Sequence, residues 1–232
     1  MTVRLTRMSY GLAPQSFSLA IDGGTLTAGQ DFGYRAGRFA RQLTPAEQAE
    51  LERVVAAAAN VAEPPVPGID QPLRPDGVTE RLSADGLPDV VLTPPAEPPA
   101  GYGDLVRLLR SLREDLGESA VAALELDVAG PPLRARLRHV GSEPLAVRLE
   151  TLTLQATLFG PDSALVDSAT VRVDPPDTGG EVGPGWSLPL TDDLAIAAPA
   201  KGGFLTVTVG TPEVDVYGDG VLHPVELSWM AE

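Results

Sequence analysis

The sequence predicts an α+β fold in two parts, an amino-terminal antiparallel sheet with two helices on one face over residues 1–116 and an all-β domain over residues 117–232. Three observations predict it. Only two segments carry the three- and four-residue apolar spacing of an amphipathic helix, and both lie before Gly117. From about residue 121 onward, strand-sized runs recur about every 8–14 residues. With 23 Pro and 24 Gly in 232 residues, there is turn chemistry enough to separate that many short strands.

The elements follow in order. Val3–Met8, the segment 15–21 and Phe32–Gln42 read as strands, and Asp22-Gly23-Gly24 favours antiparallel pairing after the second of them. Thr44-Pro45-Ala46-Glu47 is a capping box with proline at the first helical position. Leu51, Val54, Val55 and Ala58 continue it as one apolar stripe, which predicts a helix over 44–59. A proline-rich stretch over 63–70 leads to short strands near Val78–Leu82 and Val90–Leu92. Asp104 can cap a second helix, whose Leu105, Leu108, Leu109, Leu112 and Leu116 run to Gly117, predicting a helix over 104–116.

In the second half the expected strands are Ala123–Val128, Leu133–Val140, Leu145–Glu150, Leu152–Phe159, Leu165–Val173, Leu188–Leu190, Phe204–Val209, Glu213–Tyr217 and Val221–Trp229. Such a series suggests a β-sandwich of immunoglobulin-like type, with a small barrel as the alternative. Leu133, Ala135 and Leu137 alternate with Arg134, Arg136 and Arg138, as a half-buried strand requires. The apolar phase slips by one between Leu149 and Leu152, which predicts a bulge or corner near Glu150-Thr151.

Composition narrows the function. The net charge is −15, with 11 basic residues against 15 acids in residues 1–116 and six against 17 in the remainder. That field repels nucleic acid and anionic membrane surfaces, and no apolar run is long enough for membrane insertion. Zero cysteines remove disulfides, thiolate nucleophiles and cysteine metal sites, and with no cleavable leader visible at the amino terminus they fit a cytoplasmic protein. The cations are 16 Arg and one Lys, a bias that suggests a bacterial source.

Catalytic signatures are absent from the sequence. The two histidines, His139 and His223, fall in expected strands without metal-ligand spacing, and no serine lies in a nucleophile elbow. The pairs Gly23-Gly24, Gly179-Gly180 and Gly202-Gly203 lack phosphate-loop context and read as turns. Glu213, Asp215 and Asp219 form a candidate calcium turn, although a hairpin explains them equally, and Asp192-Asp193 shares that ambiguity. Arg134, Arg136 and Arg138, with Arg148 as a possible fourth, form a candidate contact stripe for an acidic partner; cross-strand pairing with Glu143, Glu150 or neighbouring acids is the alternative. Trp186 and Trp229 read as core or edge residues.

The run Leu43-Thr44-Pro45-Ala46-Glu47 through Ala58, entered from a hairpin and followed by a proline-rich loop, short strands and a Leu-rich helix, resembles small bacterial α+β domains of the emfourin type. The resemblance implies an intracellular inhibitor of thermolysin-like metalloproteases, a protein-binding role without chemistry of its own. Only Ser9-Tyr10-Gly11-Leu12-Ala13-Pro14 echoes that family's glycine-rich hairpin, and no inhibitory residue carries over. Residues 121–232 are similar to bacterial immunoglobulin-like domains, which specifies no ligand.

The expected function is therefore a non-enzymatic protein-binding or assembly module of a bacterial cell, with no cofactor and another protein as partner. The alternatives are the metalloprotease inhibitor and a carboxylate-dependent hydrolase using Glu213, Asp215 and Asp219.

Overall fold

A computed structural model describes residues 1–9, 16–61, 78–92, 98–99, 101–177 and 179–231. The proline-rich stretch over 63–70, residue 15 and most of the segment 9–14 lie outside the described residues. In chain order the elements are β1 (Thr2–Ser9), β2 (Phe17–Asp22), β3 (Thr25–Gln30), β4 (Phe32–Gly33), β5 (Arg35–Gln42), α1 (Pro45–Ala59), β6 (Val78–Ala84), β7 (Val90–Leu92) and α2 (Gly103–Glu114). A 3-10 turn, Asp115–Glu118, precedes β8 (Ala120–Ala129), β9 (Leu133–Gly141), β10 (Leu145–Arg148), β11 (Leu152–Phe159) and β12 (Leu165–Val173). The last strands are β13 (Gly179–Val182), β14 (Ser187–Leu194), β15 (Phe204–Val214) and β16 (His223–Ala231).

The chain divides into two compact units, Met1–Gln30 with Phe39–Ser119, and Asp31–Arg38 with Ala120–Glu232. Residues 31–38 thus break a simple division at 116/117, because they belong to the carboxyl-terminal unit.

The amino-terminal unit orders its strands β5-β3-β2-β1-β6-β7. Val3, Leu5, Phe17, Leu19, Ile21, Leu26 and Leu82 bury one face of this sheet. Helix α1 begins as its residues dictate. The Thr44 side chain accepts from the Glu47 amide at 3.2 Å, and the Thr44 amide donates to the Glu47 carboxylate at 2.7 Å. Arg41 clamps the same carboxylate at 2.7 and 2.9 Å, which holds the Glu47 carboxyl down at about 2. Helix α2 starts differently from expectation. Its N-cap is Tyr102, without a side-chain cap bond, while Asp104 pairs with Arg107 one turn on at 2.9 Å.

The carboxyl-terminal unit has strands in two sheets around one core. One sheet places β8 beside β9 and β9 beside β14; the other has the order β12-β11-β15-β10-β13, with β16 against β15 and β4 parallel to β16. Leu124, Leu126 and Leu137 from the first meet Leu154, Val207 and Leu227 from the second in a single apolar cluster, and Trp186 and Trp229 pack on it partly buried. The phase slip between Leu149 and Leu152 has a structural counterpart. The chain leaves β10 after Arg148 and resumes as β11 at Leu152, so both strands pair with the same partner, β15, on either side of an irregularity between Gly210 and Glu213. Leu149 and Leu152 are both buried across that corner.

This architecture overturns the expected α+β domain followed by an immunoglobulin-like sandwich. Among the described residues, strands take up 56% and helices only 15%, in two sheets, so the fold is mainly β. The physical reasons are specific. Strand β3 has only one large apolar side chain, Leu26, and escapes a periodicity search. Gly179-Gly180, read as a turn, lies in β13, and the runs 204–209 and 213–217 are bridged at Thr211-Pro212 into one eleven-residue strand, β15. Among the described residues no helix is long and apolar enough to cross a membrane.

Gly37 shows how closely the strands of the carboxyl-terminal unit approach one another. Its φ is +145°, and a β-carbon there would lie 2.4 Å from the Ala122 carbonyl oxygen. We expect Gly37→Ala to cost about 2 kcal/mol or more, against a change within about 0.5 kcal/mol for Gly210→Ala, which has open space; chemical denaturation of the two variants measures both.

Candidate functional site

The arginine stripe of β9 is read by its register with β8. Glu125 lies opposite Arg138, Asp127 opposite Arg136, and Ala129 opposite Arg134. Directly opposed residues in antiparallel strands share a face, so each arginine meets whatever β8 offers there. Two of them meet carboxylates. Asp127 accepts from the Nε of Arg136 at 2.7 Å, and Glu125 accepts from the Nε of Arg138 at 2.6 Å. Arg134 meets the Ala129 methyl group, and among the described residues no hydrogen bond or ion pair engages it.

Glu125 differs from Asp127 in its surroundings. It is 4% exposed, although it lies on the face of β8 opposite the apolar core, because the Arg35 guanidinium covers it and donates to its second oxygen. Arg35 is carried by the segment 31–38, and the Leu126 amide donating to the Tyr34 carbonyl at 2.8 Å secures that segment against β8. The Arg35 guanidinium also stands over the Tyr34 ring, 5.1 Å from its centre. One carboxylate therefore receives two guanidinium groups, one from each side.

Beside the stripe is a recess of roughly 390 Å³ lined by Asp127, Arg134, Arg136, Ser187, Thr191 and Asp192, among others. Strand β14 forms one wall of it. Its pairing with β9 shifts register on both sides of Thr191, and it is the last strand on that side of its sheet. The recess thus offers two guanidinium groups, one without a partner, two hydroxyls and two carboxylates.

The other sequence candidates have separate duties. Glu213 lies opposite Arg148 in the β15–β10 pairing and is bonded to it at 2.6 Å, so Arg148 is not part of the stripe. Asp215 accepts from the amides of Gly218, Asp219 and Gly220 at 2.7, 3.2 and 3.2 Å, and Asp219 accepts from the Val221 amide at 3.0 Å. These are bonds that close the loop onto itself. Among the described residues no three His, Asp or Glu side chains are placed to share a metal ion. Burial, then the charges of Asp31 and Asp219, push the Tyr217 hydroxyl up to about 12, and the ring meets His223 edge-on at 4.9 Å. His139 faces the core, 6% exposed, with its Nε2 2.8 Å from the Glu143 carbonyl oxygen.

Sequence reasoning found the stripe and missed Glu125, Asp127 and Arg35. The first two were legible in principle, since Glu125 and Asp127 alternate with Leu124 and Leu126 as the arginines alternate with leucines. Arg35, 90 residues away, carried no signal. The difference in burial sets the energetics. Arg138→Ala leaves a buried carboxylate with one cation and should cost about 2–4 kcal/mol, whereas Arg136→Ala breaks an exposed pair and should cost under about 1 kcal/mol; urea titration of each variant separates the two. No family model, curated protein or solved structure matches the chain.

Proposed function

We propose that the chain is a non-enzymatic protein-binding module that receives an acidic segment of another protein on the outer face of β9. The observation that carries this reading is Arg134. It stands with Ala129 opposite it, lacks an acid of its own, and opens onto the recess beside β14. An unpaired guanidinium on a unit with 17 acids and eight cations is a local exception to the surrounding field. Guanidinium groups recognise carboxylates through two parallel hydrogen bonds, and that geometry is met on an incoming side chain when the protein supplies none. The bulged edge of β14 keeps the neighbouring backbone from forming a regular ladder, which suits side-chain recognition better than strand addition. The absence of cysteine fits a cytoplasmic setting in a bacterial cell.

The reading is tested by affinity capture from the native host with the intact chain and with Arg134→Glu in parallel. Arg134 is exposed and unpaired, so the substitution should leave stability within about 0.5 kcal/mol. A protein retained by the intact chain and reduced at least about tenfold on the variant is the expected result. Equal retention of every captured protein by both chains contradicts it.

A further inference from the structure

The amino-terminal unit carries a second concentration of arginine, built on inward-facing positions. In β1, Val3 and Leu5 are buried at alternate positions, and the next residue of that series is Arg7. The register of β1 places Arg7 opposite Phe17 on one side and opposite Glu80 on the other, so all three share the inward face. Glu80 is 1% exposed and accepts from Arg110 of α2 at 2.5 Å. One turn of the helix on, the Arg113 guanidinium lies over the Phe17 ring, 4.9 Å from its centre. Two elements, β1 and α2, thus bring three guanidinium groups to one end of the sheet.

Glu80 and Glu114 are the acids that face this group. Burial first, and then the like charges of Arg7 and Arg110, push the Arg113 guanidinium below its ordinary value against the attraction of Glu114 and Glu80. Arg7 is the residue left over. Its Nε is buried and has no hydrogen-bond acceptor, and among the described residues no ion pair engages its guanidinium. A buried donor without an acceptor is costly, and a cation excess in a chain of charge −15 runs against the bulk of its electrostatics. Both are relieved by one incoming anion.

We infer that the amino-terminal unit binds an oxyanion, a carboxylate or phosphate group, between Arg7, Arg110 and Arg113, with Phe17 as the apolar floor. Arg110 is held in place by Glu80, Arg113 by the ring beneath it, and Arg7 supplies the donor that awaits the ligand. The Arg110 side chain is 44% exposed, so the cluster is open to solvent.

The experiment follows the arginine Nε–H signals of the intact chain by ¹⁵N NMR while sodium phosphate, and in a separate arm sodium acetate, replaces sodium chloride at constant ionic strength. A saturable shift of the Arg7 signal is expected, and the arm that saturates first distinguishes phosphate from carboxylate. Arg7→Gln should weaken that binding at least about tenfold, Arg7→Lys less because the charge remains without the fork, and Arg172→Gln, an exposed arginine outside the cluster, should leave it unchanged. Non-saturating shifts in both arms, or undiminished binding by a folded Arg7→Gln chain, overturn the inference; the titration of the unaltered protein decides it should that variant not fold.

Discussion

The carboxyl-terminal unit depends on one carboxylate. Glu125 is buried on the face of its strand that points away from the apolar core, and burial of a lone carboxylate there would be prohibitive without compensation. Arg138 supplies part of that compensation from the adjacent strand. Arg35 supplies the rest from a segment 90 residues earlier in the chain. That requirement explains why residues 31–38 belong with residues 120–232 and not with the strands that flank them in sequence. A buried ion pair adds little net stability over apolar packing, but removing one member leaves an uncompensated charge. The pairing therefore acts by penalising every arrangement in which Arg35 is elsewhere.

The same logic separates the arginines of β9 by role. Arg138 is consumed by the buried carboxylate, Arg136 by an exposed one, and Arg134 by nothing, because the register assigns it Ala129. Structure and contact are thus divided along a single strand at two-residue steps. In the amino-terminal unit Glu80 plays the part of Glu125 with Arg110, while Arg7 is the counterpart of Arg134, though facing inward. Both unpaired cations sit beside a satisfied pair, where the neighbouring charges are already spoken for.

Features set by local chemistry were legible in the sequence. The capping box at Thr44 and Glu47 starts α1 as its residues require, the alternation from Leu133 to Arg138 assigns the faces of β9, and the phase slip at Leu149–Leu152 marks a corner. What failed was whatever needed a distant partner or a weak pattern. The fold class was misjudged because two well-patterned helices outweighed strands such as β3, which shows a single large apolar residue. The acidic residues Glu213, Asp215 and Asp219, adjacent in sequence, are drawn apart by a cross-strand arginine and by loop amides. The charge of Arg7 in an otherwise apolar inward series was visible from the start, but its meaning needed α2 placed over it.

The Glu125 carboxylate holds the segment 31–38 in the carboxyl-terminal unit, and native-state hydrogen exchange of Glu125→Gln reads this out. The Leu126 amide, which donates to Tyr34, should lose protection by a factor of about 100 or more relative to the parent chain, while the Leu19 and Leu82 amides of the amino-terminal unit keep theirs. Unchanged protection at Leu126 in the folded variant would contradict it.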